Sequence, residues 1–195
     1  MTKVYLDGCS MVWGAGLESE EKLEHLLRSN HNISIDNFSL CGKSNHVISK
    51  DIYNNFEKYD AFIIGFTWAD RFSLGYENGQ VISIGPNFAA PPPEPCPIEY
   101  EKILNDFHKT FYKLYDIQYW ENYSDMLIDS MLSLLEKHDK KVFAFTWEKR
   151  KTKLYKLSNI GISVPYSRQS DRHLDAKGME LLYNNIVKNF SGVLN

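Results

Sequence analysis

The sequence predicts an α/β protein, a mostly parallel sheet with helices on both faces. Three observations carry this reading. Strand-like and helix-like stretches alternate along the chain. Ala61 to Phe66 is a continuous apolar run, the pattern of a strand buried on both faces. The stretches between strands carry apolar residues three and four apart, the spacing of one helix face.

Each element follows in order. Lys3 to Leu6 opens the chain as a short strand. Leu23, Leu26 and Leu27 mark a helix after Ser19, a suitable N-cap with Glu20 and Glu21 in the first turn. Ile33 to Leu40 alternates apolar with polar, as a second strand. Ile48, Ile52, Phe56 and Tyr59 form the apolar stripe of a helix starting near Ser44. After the Ala61–Phe66 run, Gly75 to Pro97 breaks the rhythm with glycines and a proline-rich tract, predicting an irregular insertion or lid at about 75–97. Helical spacing resumes at Ile103, Leu104, Phe107, Phe111 and Leu114, and again at Leu127, Met131, Leu134 and Leu135. Val142 to Phe145 reads as another buried strand, and Ile160 to Val164 as a last short one. Met179, Leu182, Ile186 and Phe190 mark a C-terminal helix.

Composition narrows the function classes. The 195 residues suit one domain spanning 1–195. A net charge of -3 gives no general basic field, so no nucleic-acid partner is expected. No apolar run approaches the roughly 20 residues of a membrane helix, so no membrane partner is expected either. The start turns acidic at Asp7, too soon for a secretory signal, which points to a cytoplasmic protein. Cys9, Cys41 and Cys96 are sparse and lack metal-ligand spacing; free thiols and no metal are expected.

Parallel sheets bind ligands beyond the carboxyl ends of their strands. The first strand runs into Asp7-Gly8-Cys9-Ser10, a glycine turn that sets a serine at the sheet edge. The second leads to Cys41-Gly42-Lys43-Ser44-Asn45, with Gly42 just before a helix. The third leads to Thr67-Trp68-Ala69-Asp70-Arg71. Asp171-Arg172-His173-Leu174-Asp175 stands just before the last helix.

Together these blocks resemble the SGNH hydrolases, the esterase family also called GDSL, in block order from Gly8 to Gly178. Gly8-Cys9-Ser10 is similar to the family's Gly-Asp-Ser, and His173, five residues before Gly178, to its late histidine block. The resemblance implies a three-layer, flavodoxin-like fold with a five-stranded parallel sheet. It implies Ser10 as nucleophile, His173 as base and Asp171 as the acid behind it, with no metal or cofactor. It also implies an oxyanion site made of Ser10 and Gly42, with Thr67 near the place of the family's third-block asparagine. Three departures stand out: Cys9 replaces an aspartate, Thr67 replaces that asparagine, and the acid lies two residues before His173 rather than three. The Thr-Trp-x-x-Arg form of the third block is similar to a divergent branch among phage and bacterial proteins.

The chemistry has its own logic. A serine hydroxyl needs a neighbouring base to become nucleophilic, and histidine titrates in the right range. A carboxylate behind the imidazole fixes its tautomer. Asp175 is a second candidate acid, or else the cap of the last helix. Cys9 is a candidate nucleophile, or a packing residue if alternation points it away from Ser10.

Phe66-Thr67-Trp68-Ala69-Asp70-Arg71 is echoed by Phe145-Thr146-Trp147-Glu148-Lys149-Arg150. Read functionally, Trp68 and Trp147 offer faces for sugar rings or acyl chains, with Arg71 and Asn45 as polar contacts. Read otherwise, the echo is coincidence and Arg71 a structural ion-pair partner. The expected function is a serine esterase acting on a saccharide or small-molecule ester. The alternative is a non-catalytic carbohydrate-binding or virion/surface-recognition module on the same fold.

Overall fold

The structure is a computed structural model describing residues 1–75, 81–85, 88–89, 98–114, 116–147, 158–159 and 173–194. Its strands are β1 (Thr2–Gly8), β2 (Ile33–Asn37), β3 (Ala61–Phe66), β4 (Phe72–Gly75), β5 (Val81–Gly85), β6 (Phe88–Ala89), β7 (Lys141–Thr146) and β8 (Ser158–Asn159). Its helices are α1 (Ser10–Trp13), α2 (Leu23–Asn30), α3 (Asn45–Asn55), α4 (Ile98–Lys113), α5 (Ile117–Lys137) and α6 (Ala176–Leu194). Among the described residues the main sheet has five parallel strands in the order β2-β1-β3-β7-β8. The order reverses beside β1, so the ends of β1 and β3 flank the crevice where such sheets place their sites.

Alternation along the strands sorts the core into two layers. Val4 and Leu6 of β1, Ala61 and Ile63 of β3, and Phe143 and Phe145 of β7 face α2 and α6 through Leu23, Leu27, Met179, Leu182 and Ile186. Tyr5, Phe62, Ile64 and Phe66 face the opposite layer, packing with Ile48 and Ile52 of α3 and Ile128, Leu132 and Leu135 of α5. Each such buried aliphatic side chain stabilises the fold by about 1.5–3 kcal/mol.

Three local expectations change, and a fourth falls outside the described residues. Ser19 does not cap α2. Glu21 reaches back to the Glu18 backbone N–H at 3.1 Å and closes Ser19–Glu21 as a separate 3-10 turn, so α2 starts after Lys22. The second strand stops at Asn37, where the Asn37 side chain accepts from Ser39 N–H and turns the chain. The 75–97 stretch is not irregular throughout. The β-branched Val81, Ile82 and Ile84 favour the strand β5, which pairs antiparallel with β4 and β6 in a small second sheet. The strand expected at 160–164 lies outside the described residues, while β8 adds an edge strand at Ser158–Asn159.

Candidate active site

Two glycines place the serine. Gly8 and Gly65 are register partners across β1 and β3. A Cβ on Gly8 would lie 2.3 Å from Val12 Cγ2, and one on Gly65 would lie 2.5 Å from the same atom. With no side chain at either position, α1 sits directly on the sheet through Val12. Ser10 is therefore the first residue of a helix that begins at the strand end, with Gly14 closing it in the left-handed region at φ 75°.

The last helix brings the partner. Asp175 Oδ1 accepts the Gly178 N–H at 2.8 Å, and Asp175 O accepts the Met179 N–H. Of the two readings of Asp175, the structure gives the helix cap. Leu174 is buried in the core, which fixes the residue before it. His173 Nε2 then lies 2.8 Å from Ser10 Oγ, across 163 residues of sequence. Ser10 is 4% exposed. Asp171 lies outside the described residues.

The second loop turns beside this pair. Leu40 N–H donates to Gly8 O at 3.1 Å, and Lys43 N–H donates to Leu40 O at 3.3 Å. Gly42 takes φ 77° at the third position of that turn, a place suited to glycine. Cys9 is buried in the core, in line with packing, and Cys41 is exposed; both are free thiols, and Cys96 lies outside the described residues. Burial, and next the Cys9 thiol nearby, push the Cys41 thiol up.

Thr67 follows β3, one step past the point where β1 gives way to α1. Its backbone is gripped by Asn45: Thr67 N–H donates to Oδ1 at 2.7 Å, and Asn45 Nδ2 donates to Thr67 O at 2.8 Å. Nδ2 also donates to Ser124 Oγ at 2.7 Å, which ties α3 to α5. Asn45 thus commits its amide group to Thr67 and Ser124, shaping the third block, while it also lines the recess described below. Thr67 Oγ1 is buried with no hydrogen-bond partner among the described residues.

Trp68 and Trp147 both pack, half-buried, against the α2–α6 layer, and the Arg71 guanidinium sits 4.7 Å from the centre of the Trp68 ring. Arg71 also lines a shallow recess with His46, Trp120, Tyr123 and Ser124. The echo between the two Phe-Thr-Trp stretches is not a structural repeat. Phe66 pairs with Thr146, one residue out of step, so Phe66 and Phe145 enter opposite layers. Arg150 lies outside the described residues. His25 and His138 are exposed, and the His108 ring meets that of Tyr112 at a tilt of 57°.

One cluster escaped the sequence reading. Lys43 Nζ donates to Asp7 Oδ1 at 2.6 Å, Asp51 Oδ2 at 2.7 Å and Phe38 O at 2.9 Å. Asp7 Oδ1 also accepts the Gly8 N–H, and Oδ2 accepts the Tyr5 hydroxyl, each at 2.7 Å. Burial pushes the Asp7 carboxyl up to about 7, against the Lys43 ammonium and the hydrogen bonds that lower it. A signal existed: Asp7 shares its strand face with buried Tyr5, and a charge in such a strand demands a partner.

No group of three or more metal-ligating side chains occurs among the described residues, and no helix among them is long and apolar enough to cross a membrane. No family model matches the chain, and no curated protein matches it. Solved structures do. TesA superposes at a TM-score of 0.57 with 12% identity, covering 98% of this chain and 99% of its own. The lipase Lip_vut3 from a goat rumen metagenome superposes at 0.56 with 11% identity, covering 100% of both chains. A lipolytic protein of the G-D-S-L family from Veillonella parvula DSM 2008 matches more loosely, at 0.41 with 13% identity over 97% of this chain and 98% of its own. The architecture is that of the SGNH hydrolase fold, a likeness of fold at 11–12% sequence identity.

Proposed function

We propose that this protein is a serine ester hydrolase in which Ser10 attacks, His173 shuttles the proton and Asp171 orients His173. The observation that carries the reading is the 2.8 Å contact between Ser10 Oγ and His173 Nε2, made by residues 163 apart. Chance rarely sets a serine at a strand-end helix start against a histidine held by a helix cap.

In the reaction, Ser10 Oγ bonds to the ester carbonyl carbon as its proton passes to Nε2. The carbonyl oxygen becomes an oxyanion, for which the Ser10 N–H, the Gly42 N–H and the Thr67 hydroxyl are the donors, worth about 3–4 kcal/mol each in comparable sites. Collapse breaks the bond to the alcohol, which leaves with the Nε2 proton. Water then attacks the acyl-serine, gives its proton to Nε2, and the carboxylic acid departs as Ser10 regains its hydrogen. Trp68, Arg71 and Trp147 form the substrate rim. Aromatic faces beside a guanidinium suit an ester of an acidic saccharide.

A fluorophosphonate probe tests this reading. Ser10 is expected as the labelled residue by peptide mass spectrometry, with labelling lost in Ser10→Ala and in His173→Ala. An unlabelled wild type would leave a binding module on this fold.

A further inference from the structure

We propose that Lys43 is a positioning residue that locks the Gly42 turn to the Ser10 turn, setting the spacing of their backbone N–H groups. The inference rests on the hydrolase reading for its catalytic meaning, though not for its geometry.

Lys43 follows Gly42 directly, and Asp7 stands three residues before Ser10. Their side chains are 1% and 0% exposed, and they meet at 2.6 Å. An ammonium has three protons, and here each has an acceptor in a different segment: Asp7 at the end of β1, Phe38 O just past β2, and Asp51 on α3. Asp7 passes the constraint on, because the oxygen that accepts from Lys43 also accepts the Gly8 N–H in the turn that presents Ser10. A second tie runs in parallel through the backbone, from Leu40 N–H to Gly8 O.

An apolar pair of the same volume would fill this space with less desolvation. It would lack direction, because dispersion contacts tolerate sliding while three charge-assisted hydrogen bonds do not. The ammonium is sealed from the surface and surrounded by its acceptors, so it does not touch substrate. Its effect passes through the loops. Those loops carry two of the three proposed oxyanion donors, and donor placement matters most in the transition state.

The test uses Asp7→Asn/Lys43→Met, which removes the charges together and keeps an acceptor for Gly8 N–H. Lys43→Met alone would strand buried Asp7 and can fail to fold. Active sites are counted by fluorophosphonate labelling to completion, and p-nitrophenyl acetate hydrolysis is measured per labelled site. Amide hydrogen exchange is followed in peptides covering residues 8–14 and 39–44. The double variant is expected to fold, to lose about tenfold or more in kcat per site with KM within about twofold, and to exchange faster in both loops but not in α6. A kcat per site equal to wild type, unchanged loop exchange, or a double variant that does not fold would each overturn the positioning role. A wild type that fails to label defeats only the hydrolase reading, and loop exchange then decides the tie by itself.

Discussion

Gly8 and Gly65 face each other across β1 and β3, and Val12 stands on the pair. The turn that carries Ser10 is therefore seated by absence of side chains. Gly65→Ala would put a Cβ 2.5 Å from Val12 Cγ2 and 2.8 Å from Phe145 Cζ. It should destabilise the fold by about 1–3 kcal/mol, as overpacked cores do. Gly65→Ala/Val12→Ala should recover part of the loss. Denaturant unfolding of the three proteins measures both, and an unchanged midpoint for Gly65→Ala would contradict the close fit.

Ser10→Ala and His173→Ala should each lower ester hydrolysis by about a thousandfold or more while the protein stays folded, since residues acting as one unit fail together. Thr67→Ala should cost about a hundredfold, less than the Ser10 change, because two backbone donors remain. Steady-state kinetics with circular dichroism on each variant check this ranking. A Thr67→Ala loss as large as that of Ser10→Ala would reverse it.

Asn45→Ala should be costly for a different reason. It leaves the buried N–H and C=O of Thr67 without the amide that satisfies them. Each unsatisfied group costs about 1–3 kcal/mol, so a drop of several degrees in Tm is expected. A Tm within a degree of wild type would mean that the backbone finds other partners.

Asp175→Ala removes the cap of α6, worth about 1 kcal/mol in typical helices. Because the capping residue lies two positions from His173, kcat should fall more than stability does. Calorimetry paired with kinetics separates the two; a loss confined to stability would detach the cap from the site.

The buried carboxyl of Asp7 makes stability depend on pH in an unusual direction. Burial raises its pKa to about 7, and Tyr5, Lys43, Asp51 and Tyr59 are the titratable groups around it. A carboxyl with a raised folded-state pKa stabilises the fold fully below its unfolded value near 4. That contribution is lost as pH rises through about 7. The unfolding free energy of wild type minus that of Asp7→Asn should therefore fall between pH 4 and 7, by more than about 1 kcal/mol. Urea titrations at several pH values read the difference, and a gap that widens with pH would mean the opposite shift.

Much of this architecture was legible because it follows from periodicity. Ala61–Phe66 read as a doubly buried strand and is one, and Met179, Leu182 and Ile186 line the buried face of α6 as their spacing implied. Ser10 and His173 were legible as a pair only through block order; nothing local in either segment indicates the other. What escaped notice involves partners distant in sequence. Lys43 looks like an ordinary turn lysine until the fold brings Asp7 and Asp51 around it, and Asn45 looks like a free polar side chain until Thr67 arrives beside it. The Phe-Thr-Trp echo is not a structural repeat, because two strands can carry the same letters one register step apart.

In the proposed site Ser10 follows only β1 of the main sheet, whereas His173 comes after all five of its described strands. During synthesis Ser10 thus emerges 163 residues ahead of the histidine it meets in the fold. Contacts so distant in sequence are closed late, since loop closure must precede their reward. On the hydrolase reading, the Ser10–His173 pair is completed only once α6 has docked.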